Sequence, residues 1–112
     1  MDTIATDWSK QEFKAYVLLY AAQCDYEETD EEMKVVHGLI SDGSFQKIHK
    51  EIDGDNDFVS IQKIMYNLEK FNYTNADADL LLNEIRELFL HGSNFNILEN
   101  NMLLCLKRIL HR

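Results

Sequence analysis

The sequence predicts an all-α fold, a compact bundle of about six helices with a weak pseudo-twofold repeat. Three observations predict it. Apolar residues recur at helical spacing along most of the chain, and no segment of any length alternates with the period of a strand. Capping residues stand before the apolar stretches. Proline is absent and glycine occurs only four times, so little in the chain interrupts helices. A hydrophobic fraction of 46% over 112 residues supplies one core. Residues 1–112 therefore read as a single domain, with 1–8 as an N-terminal tail.

The first helix is expected from about Ser9 to Cys24. Ser9 and Glu12 form an S-x-x-E capping box, in which each side chain satisfies an orphan N–H of the other's backbone. Phe13, Tyr16, Val17, Tyr20 and Cys24 share one face, while Leu18, Leu19 and Ala22 cover much of the other. A helix apolar nearly all round is a central one. The second is expected from Asp30 to Ser41, with Thr29 and Glu32 as its box and Met33, Val36 and Ile40 on its inner face. Asp42-Gly43 reads as a stop, with Gly43 in the left-handed position after the helix. A short third helix, Phe45 to Ile52, follows a Ser44 cap. The fourth, Phe58 to Phe71, has the stripe Phe58, Ile61, Met65 and Leu68, helped by Ile64. The fifth runs from Asn75, capped by Thr74, to Leu90 or His91, with Leu81, Ile85 and Leu88 inside. The sixth follows Asn96 through Leu98, Met102, Cys105, Leu106 and Ile109. Its last turns hold Lys107, Arg108 and Arg112, cations that complement the helix dipole. The first and sixth helices are expected to be among the most buried.

Charge and composition narrow the function. Twenty acidic against eleven basic residues give a formal net charge of -9. Such a surface repels phosphate backbones and argues against nucleic-acid binding, while it suits a basic protein partner or a metal cation. Cys24 and Cys105 form no zinc spacing and no C-x-x-C motif, and read as buried, reduced thiols of a cytoplasmic protein. Met1 to Trp8 carries Asp2 and Asp7 and no base, the wrong start for a secretory signal. The apolar run Ala15 to Ala22 is too short to cross a bilayer, so no membrane insertion is expected. No lipidation is expected, since Asp2 is not glycine and Leu110-His111-Arg112 carries no prenylation motif.

The second half of the pattern echoes the first at a constant offset of 67 residues, Leu18 to Ile85. Ala21 and Ala22 match Leu88 and Phe89, Thr29 matches Asn96, Glu32 matches Glu99, and Val35, Val36 and Leu39 match Met102, Leu103 and Leu106. Helices one and two thus resemble five and six: a long helix, a short polar loop, then a capped helix. The run Ala21-Ala22-Gln23-Cys24-Asp25-Tyr26-Glu27-Glu28-Thr29-Asp30-Glu31-Glu32 resembles the signature of TerB-like tellurite-resistance domains. There a long helix ends in A-D-G, a glutamate follows seven residues after the aspartate, and a second copy lies near the C-terminus. His91-Gly92-Ser93-Asn94-Phe95-Asn96-Ile97-Leu98-Glu99 occupies that second place. Asp25, Glu32 and Glu99 match the family pattern. Tyr26 replaces the first glycine, and Gly92 stands where the second copy has aspartate. The resemblance spans roughly Trp8 to Leu110. It implies facing carboxylates, a stress-response association and divalent-cation binding.

Chemistry at these positions has two readings. A hard cation such as calcium or magnesium takes several oxygen ligands, and Asp25, Glu32 and Glu99 would supply three, with helix-end carbonyls adding neutral oxygens. Yet Glu32 and Glu99 each stand three residues after a good N-cap, where a capping box already accounts for a glutamate. The capping reading is the favoured one. Asp53-Gly54-Asp55-Asn56-Asp57 has the look of a calcium loop, but Phe58 and Ile64 occupy the places of its glycine and bidentate glutamate. It reads as a solvated turn with Asp57 at the start of the fourth helix. His37, beside Met33 and Ile40, reads as packed. His91 reads as a histidine favoured by the dipole at a helix C-terminus. No catalytic spacing is present, so no catalytic residue and no cofactor is assigned.

The leading reading is a TerB-like cytoplasmic, non-enzymatic module acting through protein contacts; a weak divalent cation at Asp25, Glu32 and Glu99 is an option that the resemblance adds and the capping reading opposes. The acidic run Asp25 to Glu32 would dock a basic partner. The alternative is a small metal-dependent enzyme with its acidic site at those residues, and a third reading is a homodimeric scaffold.

Overall fold

Ser9 starts the first helix as its sequence demands. The Ser9 N–H donates to Glu12 Oε1 at 2.9 Å, and the Glu12 N–H donates to Ser9 Oγ at 3.1 Å. The bond from the Ser9 backbone holds the Glu12 carboxyl below its ordinary pKa. The computed structural model describes the backbone of residues 5–23, 30–92 and 97–110, and the side chains of 5–23, 33–90 and 100–110. Within them lie six helices: α1 (Lys10–Ala22), α2 (Asp30–His37), α3 (Asp42–Gly54), α4 (Asp57–Lys70), α5 (Asn75–Gly92) and α6 (Ile97–Leu110). No strand occurs among the described residues.

α1 is the central helix. Every residue from Ala15 to Ala22 is buried, as is Phe13, and α1 packs against all five other helices. Burying a side chain the size of Leu18 or Leu19 contributes about 1.5–3 kcal/mol, so this helix anchors the fold. The N-terminal tail joins the same core. Trp8 is buried, with its ring 4.4 Å from that of Tyr16 between centroids. Residues 5–9 are thus a strap over the bundle, held by Asn67 and Lys70 of α4.

The second helix ends earlier than its apolar spacing suggests. α2 stops at His37, and Gly38 and Leu39 close a turn onto Lys34 and Val36 carbonyls. α3 then begins at Asp42, with Ser41 as its cap accepting from the Ser44 N–H at 3.2 Å. Ser44 is therefore a first-turn residue rather than the cap. Gly43 is helical, not left-handed. An S-x-x-S cap directly after a glycine turn outcompetes the D-G stop. α3 buries Phe45, Ile48 and Ile52.

α4 is rotated from the expected stripe. Asn56 caps it, and the buried residues are Ser60, Ile64, Asn67 and Leu68, with Ile61 half-buried. Phe58 and Met65 point outward, 58% and 50% exposed. Two polar side chains displace two large apolar ones because partners exist to satisfy them inside. After Lys70 the chain makes a paired helix stop. The Tyr73 N–H donates to the Leu68 carbonyl and the Asn72 N–H to that of Glu69, with Asn72 at φ 52°.

Thr74 and Asp77 open α5 with reciprocal bonds of 3.0 and 3.1 Å. The Thr74 N–H lowers the Asp77 carboxyl's pKa. Leu81, Ile85 and Leu88 are buried as expected, together with Ala78 and Phe89. α6 differs from expectation. It buries Leu103, Leu106 and Leu110, half-buries Met102 and Ile109, and exposes Cys105. Cys105 lies one residue from the inward Leu106, about 100° round a 3.6-residue helix, so α6 is a surface helix and its thiol faces solvent. No described helix is long and apolar enough to cross a membrane.

Candidate functional site

The sequence placed its candidate site at Asp25, Glu32 and Glu99. Asp25 lies outside the described residues. Glu32 falls on α2 and Glu99 on α6, and their side chains lie outside the described set, as do Cys24, His91 and Leu98. Among the described residues no group of three or more histidine, cysteine, aspartate or glutamate side chains is placed to hold a metal.

The polar interior instead gathers at a place the sequence reading passed over. The α3–α4 junction brings Asp55 against α1 and α4. The Tyr16 hydroxyl donates to Asp55 Oδ2 at 2.6 Å, and Lys63 Nζ donates to the same oxygen at 2.8 Å. Lys63 also reaches Glu51 Oε2 at 2.8 Å. Ser60 Oγ lies 3.0 Å from the Tyr16 oxygen. The phenol has one proton, committed to Asp55, so Ser60 donates in that contact. Asp55 is only 13% exposed and Lys63 14%. Asp55 was expected in a solvated turn, yet it is the hub of this cluster.

Its second half ties down the strap. Asn67, fully buried, donates from Nδ2 to the Lys63 carbonyl at 2.8 Å and to Thr6 Oγ1 at 2.9 Å. Lys70 Nζ donates to the Thr6 carbonyl at 3.2 Å. Beside the cluster lies an open cavity of about 390 Å³, lined by Ala5, Thr6, Asp7, Trp8, Glu51 and Lys63.

The electrostatics define what these groups can do. Burial, then the bond to Asp55, pushes the Tyr16 phenol well above its ordinary pKa. Burial pulls the Lys63 ammonium down, but its bonds to Asp55 and Glu51 outweigh that and raise it. A phenol held neutral and an amine held charged are poor bases and poor nucleophiles near neutral pH. No buried side-chain nitrogen or oxygen among the described residues lacks a hydrogen-bond partner. The cluster is thus a closed polar staple joining α1, α3, α4 and the strap. Sequence reasoning missed it because Tyr16, Asp55 and Lys63 lie on separate segments. The available signal was a buried-pattern tyrosine facing an otherwise unexplained acid–lysine pair.

His37 and His49 flank Phe45, with ring centroids 4.7 and 5.6 Å away. His37 Nε2 lies 2.8 Å from Asp42 Oδ1, and its side chain is 44% exposed, so it sits at the rim rather than in the core. No protein-family model, no curated protein and no solved structure matches the chain.

Proposed function

We propose that this chain is a TerB-like, cytoplasmic, non-enzymatic stress-response module that works through protein contacts, with Asp25, Glu32 and Glu99 as the place where a weak divalent cation would bind if Glu32 and Glu99 are more than caps. What supports the reading is that the two helix pairs touch as a pseudo-twofold arrangement would need, although α1 packs on all five other helices and α5 chiefly on α1, α2 and α6. α1 packs on α5, while α2 reaches α5 and α6 reaches α1. A pseudo-twofold repeat of the kind that the Asp25-to-Glu32 resemblance implies requires such reciprocity. Large apolar side chains left exposed on three helices, Phe58, Met65, Leu80, Leu90 and Leu104, support the protein-contact part.

Clustered carboxylates repel one another when empty, and a bound cation relieves that repulsion. A ligand that binds only the folded state raises stability by mass action. Thermal unfolding with calcium, magnesium or chelator separates the two readings. A bound cation raises the midpoint at millimolar metal. Capping alone, the favoured account because Gly92 leaves the second copy without its first ligand, leaves it flat. Asp25→Asn should abolish the shift. A flat response in the wild type removes the cation and leaves Glu32 and Glu99 as caps.

A further inference from the structure

A groove runs between α5 and α6, and its two walls carry matching stripes. On α5 they are Asp79, Leu82, Asn83 and Arg86, and on α6 Asn100, Leu103, Leu104 and Lys107. Each set follows the i, i+3, i+4, i+7 spacing of one helix face. The groove has a volume of about 440 Å³. Its floor is aliphatic, from half-buried Leu82 and buried Leu103, and Leu104 on its wall is 55% exposed. Leu90, four residues beyond Arg86 on the same α5 face, is also 55% exposed.

The groove carries one carboxylate, Asp79, and two cations, Arg86 and Lys107, so its balance is positive where that of the chain is negative. Acidic residues outnumber basic ones by 20 to 11. Lys14, Lys47 and Lys63 are each used in an ion pair. Arg86 and Lys107 are in no ion pair of the described residues. Cations at an aliphatic groove are the complement of an apolar stripe with carboxylates beside it. Two adjacent helices offer a third helix the ridges and grooves it needs, with anchors at i, i+3 or i+4, and i+7.

We infer that the α5–α6 groove docks an acidic amphipathic helix of a partner protein. Its leucine-type anchors cover Leu82, Leu90, Leu103 and Leu104, and its carboxylates meet Arg86 and Lys107. The Asn83 and Asn100 amides serve its polar rim. The net charge of the chain opposes such a partner at long range. At physiological ionic strength that field is screened beyond about 8 Å, and the groove's own cations act at contact distance. This inference rests on the protein-contact reading above and names the partner's chemistry.

The test is selection from a displayed library of helical peptides with randomised surface positions, against the full chain at physiological salt. The expected result is enrichment of peptides with net negative charge and apolar residues at i, i+3 or i+4, and i+7. The double variant Arg86→Glu/Lys107→Glu, with unchanged circular dichroism, should weaken the best peptide about tenfold or more, as two reversed contacts imply. Leu90→Asp/Leu104→Asp should abolish its binding. Enrichment of basic or neutral helices overturns the acidic assignment. Binding that survives Leu90→Asp/Leu104→Asp overturns the groove while leaving the protein-contact reading intact. No enrichment at all overturns both. A wild-type dimer in sedimentation that both double variants dissolve overturns the proposal in favour of a second copy as occupant.

Discussion

Lys63 sits between two carboxylates at 2.8 Å each, and Tyr16 shares one of them. Lys63→Met would leave Asp55 and Glu51 without their cation in a half-closed site, at about 3 kcal/mol. Tyr16→Phe removes one bond to a charged acceptor, at about 2 kcal/mol. The two variants also differ from wild type in pH dependence. The Tyr16 phenol and Lys63 ammonium both have raised folded-state pKa values, from ordinary values of 10.0 and 10.5. Their contribution is full below those unfolded values and is lost as pH rises through the folded ones. Wild-type stability should therefore fall above pH 10, and Tyr16→Phe should flatten that limb. Tyr20, pushed up to about 12 by burial and then by Asp57, keeps part of the limb in the variant. Urea midpoints from pH 7 to 11 check this. An unchanged limb in Tyr16→Phe would show that the phenol does not carry it.

Among the helices, legibility followed the kind of signal. α1 could be read because its capping box is local and its apolar positions leave only one placement. α5 could be read because its stripe has no polar competitor. α4 could not, because Ser60 and Asn67 go inside, and apart from the Lys63 carbonyl one turn back their partners, Thr6 and Tyr16, lie far off in sequence. Likewise the staple was illegible because Glu51, Asp55 and Lys63 look like ordinary surface charges until α1 is laid across them. The α2–α3 boundary was misplaced because D-G after an apolar stretch has the chemistry of a stop, whereas Gly43 occupies the first turn of α3. That difference is measurable. A Cβ on Gly43 meets nothing within 4 Å, and its φ is not positive. Gly43→Ala should then stabilise by roughly 0.5–1 kcal/mol through a less flexible unfolded chain. Were Gly43 left-handed, alanine would destabilise instead, so the sign of the shift in thermal midpoint separates the two.

At the scale of the molecule, the bundle spans 39 × 31 × 24 Å with a Cα radius of gyration of 13.1 Å, matching the ~13 Å of a well-packed chain of this length. Central α1 touches every other helix, and the strap lies across the outside, bonded to partners 61 to 64 residues away. The strap has a consequence for the rate at which the molecule comes apart. Contacts closing so long a loop are formed late, after local helices have met. Weakening them should leave the folding rate alone and speed unfolding. Thr6→Ala combined with Lys70→Ala, at about 1 kcal/mol, should quicken unfolding roughly fivefold with little change in refolding. Trp8 is the chain's one tryptophan and is buried against Tyr16. Its fluorescence thus reports strap docking separately from the circular dichroism of the helices. A refolding rate that drops fivefold instead would place the strap in the folding nucleus, and the last piece to seat would turn out to be among the first.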